Sequence, residues 1–235
     1  MKIIPAFTLA ATLAAPLAAQ GGNGSTEFPR SMVAGIALHY GSPQGDFASN
    51  VNGAFGANGF FGLRLGNLPV ALRADLSYSI YGSESRRFPL GGGPLGLIST
   101  DVNTTNNILS GGIGLQAGLP GITVRPYVGG SVGFSNFFTM SSVSGSQMMS
   151  GESFASTTNY SDGTFAKTLY GGFYIPIGSS GGQLDLGARY HWNGEARYLT
   201  DRDISFDSGN NPVLSPRRTR ADLLNIQVGF AFGRR

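Results

Sequence analysis

The twelve residues ADLLNIQVGFAF, Ala221 to Phe232, decide the fold. From Leu224 every second side chain is large and apolar: Leu224, Ile226, Val228, Phe230 and Phe232. Between them stand Asn225, Gln227, Gly229 and Ala231, which are polar or small. A strand turns successive side chains to opposite faces, so this segment has one oily face and one polar or empty face. In a soluble sandwich the oily face would meet a second sheet. In a transmembrane barrel it would meet lipid, and the other face would line a lumen. The closing Phe232, followed by Gly233, Arg234 and Arg235, puts a ring where a membrane interface would lie.

Working outward from this segment, the same alternation recurs in Ser31–Tyr40, Gly53–Leu65, Val70–Tyr81, Asn107–Leu119, Ile122–Ser135, Thr164–Ile177 and Gln183–Asn193. Val70–Tyr81 is the cleanest, setting Val70, Leu72, Ala74, Leu76, Tyr78 and Ile80 against Arg73, Asp75, Ser77 and Ser79. Pro126 interrupts its segment and removes a ladder donor. The connections alternate long and short. Gly41–Asn52, Gly82–Asn106, Asn136–Gly163 and Gly194–Arg220 are long; Gly66–Pro69, Pro120–Gly121 and Gly178–Gly182 are tight turns. Eight strands with short turns at one end and long loops at the other describe an all-β, antiparallel, up-and-down transmembrane β-barrel over residues 31–232. A soluble β-sandwich would not need every apolar face to be lipid-like while the opposite face collects Arg and Asp.

Composition agrees. The chain has 235 residues, 12% charged, with 37 glycines and no cysteine. That charged share is about half the usual quarter, and Gly is well above its usual share. No apolar run reaches the roughly eighteen residues of a membrane-spanning helix in the mature chain. The net charge of +3 is too small to argue for nucleic acid. Met1–Ala19 reads as a secretory signal, with Lys2 before an apolar stretch, and residues 20–30 as a flexible periplasmic lead-in. With no cysteine behind it, neither a lipoprotein anchor nor a disulfide framework is expected.

Strand number, loop alternation and the terminal Phe232 together resemble the small eight-stranded outer-membrane barrels of Gram-negative bacteria: the OmpX/Ail group, the opacity-type proteins and the OmpA transmembrane domain. The alternating strand closed by Phe230 and Phe232 is similar to their C-terminal assembly signal. The resemblance implies the cell outer membrane and its assembly machinery as destination and partner. OmpA-like proteins continue into a peptidoglycan-binding domain, whereas only three residues follow Phe232 here, so cell-wall anchoring is not expected.

Three groups of residues are candidates for function. Arg64, Arg73, Asp75, Arg125, Asp185 and Arg189 all face inward, and an eight-stranded interior is just wide enough for side chains to fill it. The reading is a lumen plugged by a charge network in which Asp75 and Asp185 are each shared among the arginines. Arg86, Arg87, Arg217, Arg218 and Arg220 fall in outer loops, where Arg forks suit the phosphates of lipopolysaccharide. A third loop rich in Met and Phe, including Phe137, Phe138, Met140, Met148, Met149 and Phe154, reads as a disordered Ser/Gly loop, with a contact surface as the alternative. His39 and His191 face inward near the outer rim, but Ser77 and Ser79 read as lying on a distant strand with no carboxylate beside either ring. No catalytic residue, metal ligand or cofactor is therefore assigned. The expected role is a non-enzymatic surface protein contacting lipopolysaccharide or an unknown external ligand. A narrow channel for small or apolar solutes is the alternative, and a lipid A-modifying enzyme the third.

Overall fold

The structure, a computed structural model, describes residues 32–66, 68–89, 99–119, 123–145, 153–178, 181–200, 203–206 and 212–233. The signal segment and the lead-in lie outside these residues. In chain order the strands are β1 (Met32–Pro43), β2 (Ala54–Arg64), β3 (Val70–Pro89), β4 (Ser99–Gly118), β5 (Arg125–Gly145), β6 (Ser153–Ile177) and β7 (Gly182–Asn193). Four short strands follow, β8 (Glu195–Tyr198), β9 (Ile204–Phe206), β10 (Pro212–Leu214) and β11 (Arg217–Arg220), and then β12 (Leu223–Gly233).

Strands β1 to β7 and β12 form one closed antiparallel barrel. Each pairs with its chain neighbour, and β12 closes the ring against β1 from Val33↔Gly233 to Pro43↔Leu223. The expected eight strands and their order hold. Closure leaves no unpaired edge in the spanning zone, which lipid could not satisfy. The outward positions carry an apolar girdle: Ile36, Leu38, Phe61, Leu72, Leu76, Ile113, Leu115, Val128, Val132, Leu169, Phe173, Leu186, Ile226, Val228 and Phe230 are all exposed. So much contiguous apolar surface has no place in water and is the outer wall of a membrane barrel. At the short turns Gly66, Gly178 and Gly181 have φ of 59°, 65° and 85°, a backbone region that disfavours a Cβ. Pro126 sits at the foot of β5, where its carbonyl accepts from Leu119 N (3.2 Å) and its missing donor costs little.

The outer half differs from the expectation of irregular loops. β3 and β4 stay paired up to Pro89↔Ser99, and β5 and β6 up to Ser144↔Ser153. Above the membrane both faces of a hairpin meet water or polar groups, so the hydrophobic alternation vanishes while the backbone ladder continues. The stretch Gly194–Arg220 is likewise not a plain loop. β8 pairs with β11, from Glu195↔Arg220 to Tyr198↔Arg217, and so carries the β7–β12 pair upward as a ribbon.

Candidate functional site

Inside the barrel lie two bodies of buried side chains, different in chemistry, one above the other. In the lower body Asp75 is the hub. It accepts from Arg73 Nε (2.9 Å) and Nη2 (2.9 Å), and Arg189 Nη2 bonds the same oxygen. Arg73 Nη1 also donates to Gln116 Oε1 and, at 3.4 Å, to Tyr174 OH. Its guanidinium lies 3.7 Å from the Phe60 ring centre and 4.5 Å from that of Tyr170, while Arg189 reaches over the same Tyr170 ring at 5.0 Å. Two cations thus share one carboxylate and the π-face of one ring, which is how guanidinium groups are accommodated away from water. The tyrosine ring needs space, and a Cβ on Gly129 would stand 2.5 Å from it; glycine at that inward position is a packing requirement.

Asp185 belongs to a separate chain of bonds. Tyr127 OH donates to its Oδ1 at 2.6 Å and Gln227 Nε2 to its Oδ2 at 3.0 Å, while Gln227 Oε1 accepts from Asn58 at 2.8 Å. Tyr127 stacks on Tyr174, with centroids 4.3 Å apart. The expected network is therefore corrected in two ways. Asp75, not both carboxylates, is shared by arginines; Asp185 is held by neutral donors, because Tyr127 and Gln227 reach it from β5 and β12. Arg64 is not in the network: it is exposed at the end of β2, where the strand meets its turn. Arg125 is half-buried at the foot of β5, opposite Tyr174.

Above this, and unforeseen in the sequence, lies an apolar core of Phe47, Val51, Ala54, Tyr81, Ile108, Phe137, Ala196, Tyr198, Ala221 and Leu223. Phe47, fully buried, comes from the short 3₁₀ turn Gly45–Ser49 within the first outer connection. Its ring meets Tyr198 edge-on at 5.1 Å and Tyr81 at 5.6 Å. Phe137, expected in a disordered outer loop, is instead fully buried in this core, whereas Phe138 packs beside Tyr78 and Met140 is exposed. Met148 and Met149 lie outside the described residues, as does the side-chain environment of Phe154. The isolated F in GDFAS has no periodic partner, so only its apolarity amid polar residues signals burial.

His39 and His191 face inward, between the two bodies. Contrary to expectation, Ser79 is not distant: its Oγ lies 2.8 Å from His39 Nε2, reaching across β2 at Gly56, where a Cβ would stand 2.8 Å from that nitrogen. His191 Nδ1 bonds Thr168 Oγ1 at 3.0 Å. Both rings are buried, and among the described residues no carboxylate orients either one and no group of metal-ligating side chains forms. A cavity of about 20 Å³ between Asp75, Ser131, Thr168, Arg189 and His191 is the size of about one water molecule.

The outer arginines separate into distinct environments. On the ribbon Ala196 and Tyr198 point into the apolar core while Glu195 and Arg197 point out. Arg217, opposite Tyr198, turns to structural work: its Nε donates to the buried Asp203 (2.7 Å) and its Nη1 to Asn50 (2.9 Å). Arg218 pairs with Glu195 at 3.1 Å on the solvent side. Arg220 and Arg197 are exposed there too, and Arg197 was not singled out from the sequence. Arg86 and Arg87 lie on β3, their side chains outside the described set.

A closed eight-stranded antiparallel barrel, apolar all round, defines the class: an integral outer-membrane β-barrel. No family model matches the chain, and no curated protein sequence does. Among solved structures it is similar to Neisserial surface protein A (11% identity, 86% of this chain and 96% of that one, TM-score 0.42). It is also similar to the attachment invasion locus protein Ail of Yersinia pestis (11%, 86% and 96%, TM-score 0.41) and to a major outer membrane protein from Thermus thermophilus (12%, 85% and 98%, TM-score 0.40). At such identities the likeness is one of fold.

Proposed function

We propose that this protein is a closed, non-enzymatic outer-membrane barrel that acts through its external surface, contacting lipopolysaccharide phosphates with the outward arginines of the β8–β11 ribbon. The observation that supports this reading is the pair of buried clusters inside the barrel. A guanidinium–carboxylate–tyrosine body lies below and an aromatic core above, and the cavity beside Asp75, Thr168, Arg189 and His191 holds only about 20 Å³, room for about one water molecule. The His39–Ser79 pair does not support an enzyme, because a nucleophile needs an accessible oxygen and an oriented base, and both residues are buried. With the interior occupied, the surface available for a partner is external, and there Arg197, Arg218 and Arg220 face outward with forks that suit phosphate. Phe230 and Phe232, exposed on the last strand, fit a role in recognition by the assembly machinery.

Single-channel recording of the purified protein in planar bilayers tests the closed lumen. The expected trace shows no steady conductance. A persistent, sizeable conductance of the wild type would overturn the reading in favour of a channel.

A further inference from the structure

We propose that the outward face where β6, β7 and β12 meet the ribbon binds the phosphate-bearing headgroup of an outer-leaflet lipid, with Lys167 as its membrane-side cation. This rests on the phosphate-contact reading above and gives it a place and a ligand class: an acylated, phosphorylated glycolipid.

The sequence holds two lysines, Lys2 and Lys167. Lys167 lies on the lipid face of β6, between the exposed Phe165 and Leu169. Among the described residues it is the one charged side chain at an outward position of the eight barrel strands in the spanning zone. A cation on that face is costly at mid-membrane and nearly free at the boundary. Lys167 stands ten residues above Ile177, the foot of its strand (177 − 167 = 10). With the usual rise and tilt this is roughly 23–25 Å, the upper edge of a girdle about 25 Å tall. Its register partner on β7 is Trp192, which packs with Tyr190 at 4.6 Å, an amphipathic pair of the kind that marks an interface.

Just above, the outward stripe turns cationic with Arg197 on β8 and Arg218 and Arg220 on β11. Arg197 lies on the Lys167 side, since its backbone N–H bonds Asp162 of β6 at 2.6 Å. The acids nearby are engaged: Glu195 with Arg218, Asp162 with the backbone N–H of Arg197, and Asp222 with the backbone N–H of Asn193 (3.1 Å) and, through space, with the Arg220 charge. Among the described residues no carboxylate forms an ion pair with Lys167, Arg197 or Arg220. The occupant must place anionic charge at this height while covering Phe165, Leu169 and Val132 with apolar chains. A soluble protein cannot reach Lys167 without entering the lipid, and a free phosphate has nothing to gain from the apolar wall. A lipid with acyl chains and phosphates meets both demands.

The test is binding of bisphosphorylated lipid A to the detergent-solubilised, folded protein, read by native mass spectrometry. Lys167→Met should weaken it about tenfold, the loss of one charge-assisted contact, while Lys167→Arg retains it. Dephosphorylated lipid A should bind wild type and Lys167→Met alike, and millimolar inorganic phosphate should not displace the lipid. Heat-modifiable gel mobility verifies that each variant is folded. If Lys167→Met binds as tightly as wild type while Arg197→Ser/Arg218→Ser/Arg220→Ser loses lipid A, the placement at Lys167 falls and the ribbon reading stands. If neither variant loses affinity, both fall. Displacement by inorganic phosphate would overturn the lipid assignment in favour of a simple anion site.

Discussion

The lower and upper halves of the interior are filled in opposite ways. Below, Asp75, Arg73, Arg189 and Tyr170 turn polar groups inward while Leu72, Leu76 and Leu169 face out. Above, Phe47, Tyr81, Phe137 and Tyr198 turn apolar groups inward while Glu195, Arg197 and Arg218 face out. The reversal occurs within single strand lines. Trp192 faces out on β7; three residues later Glu195 takes the outward position and Ala196 is buried. Going down the other line, Arg218 and Arg220 give way to Ile226 and Val228. The solvent outside changes at that height from water to lipid, and the hydrophobic effect acts only where water is the alternative. In the spanning zone an apolar core has no advantage over an apolar exterior, so the interior is free to be polar provided its bonds are made. Above it, ordinary burial returns.

The largest loss is expected at the lower hub. Asp75→Asn leaves two buried guanidinium groups without their carboxylate, the case in which removing one partner of a buried pair costs about 3–5 kcal/mol. Urea unfolding of the detergent-solubilised variant should show that loss. A change within about 0.5 kcal/mol, the range of ordinary surface substitutions, would mean that Asp75 does not organise the lower body.

In the upper half the expected loss is smaller and of another kind. Phe47→Ala should cost about 3 kcal/mol, the low end for Phe truncation, because the short 3₁₀ segment bearing it can relax inward. Hydrogen exchange should place the loosening in residues 44–51 and 195–199 and leave the spanning strands protected. Uniform deprotection of the whole barrel would show that the two bodies are one cooperative unit and that the distinction between them has no energetic meaning.

The sequence displayed the spanning zone because lipid imposes alternation: each strand from Val70–Ile80 to Leu224–Phe232 carries its oily face in period two. The inward side of Arg73, Asp75 and Arg189 followed from the same parity. Which donors reach Asp185 did not, since Tyr127, Gln227 and Asp185 come from three strands and only closure and strand stagger bring them together. The outer half was illegible for a different reason. Runs such as STDVNTTNN on β4 have no oily face, so a regular ladder reads as a loop. The upper core gathers single residues from distant segments, and no local pattern announces Phe47 or Tyr198.

The smallest expected effect sharpens the boundary between core and ribbon. Arg217 and Arg220 stand at the two ends of RRTR and read alike in the sequence, yet they face different surroundings. Arg217 is partly exposed, but its Nε donates to Asp203, whose other oxygen is held by Thr200 N (3.0 Å) and Thr200 Oγ1 (2.6 Å). Its Nη1 bonds Asn50 at the end of the segment that carries Phe47, so this side chain ties the ribbon to the upper core. Arg217→Ser removes both bonds and leaves one lone pair of a buried carboxylate to find water. Partial exposure keeps the loss to about 1 kcal/mol. Arg220→Ser removes a solvent-facing charge and should change unfolding by less than about 0.5 kcal/mol. Equal losses in the two variants would show that the ribbon's inner and outer faces are not energetically distinct, and that the polarity reversal at Trp192 does not extend into the ribbon.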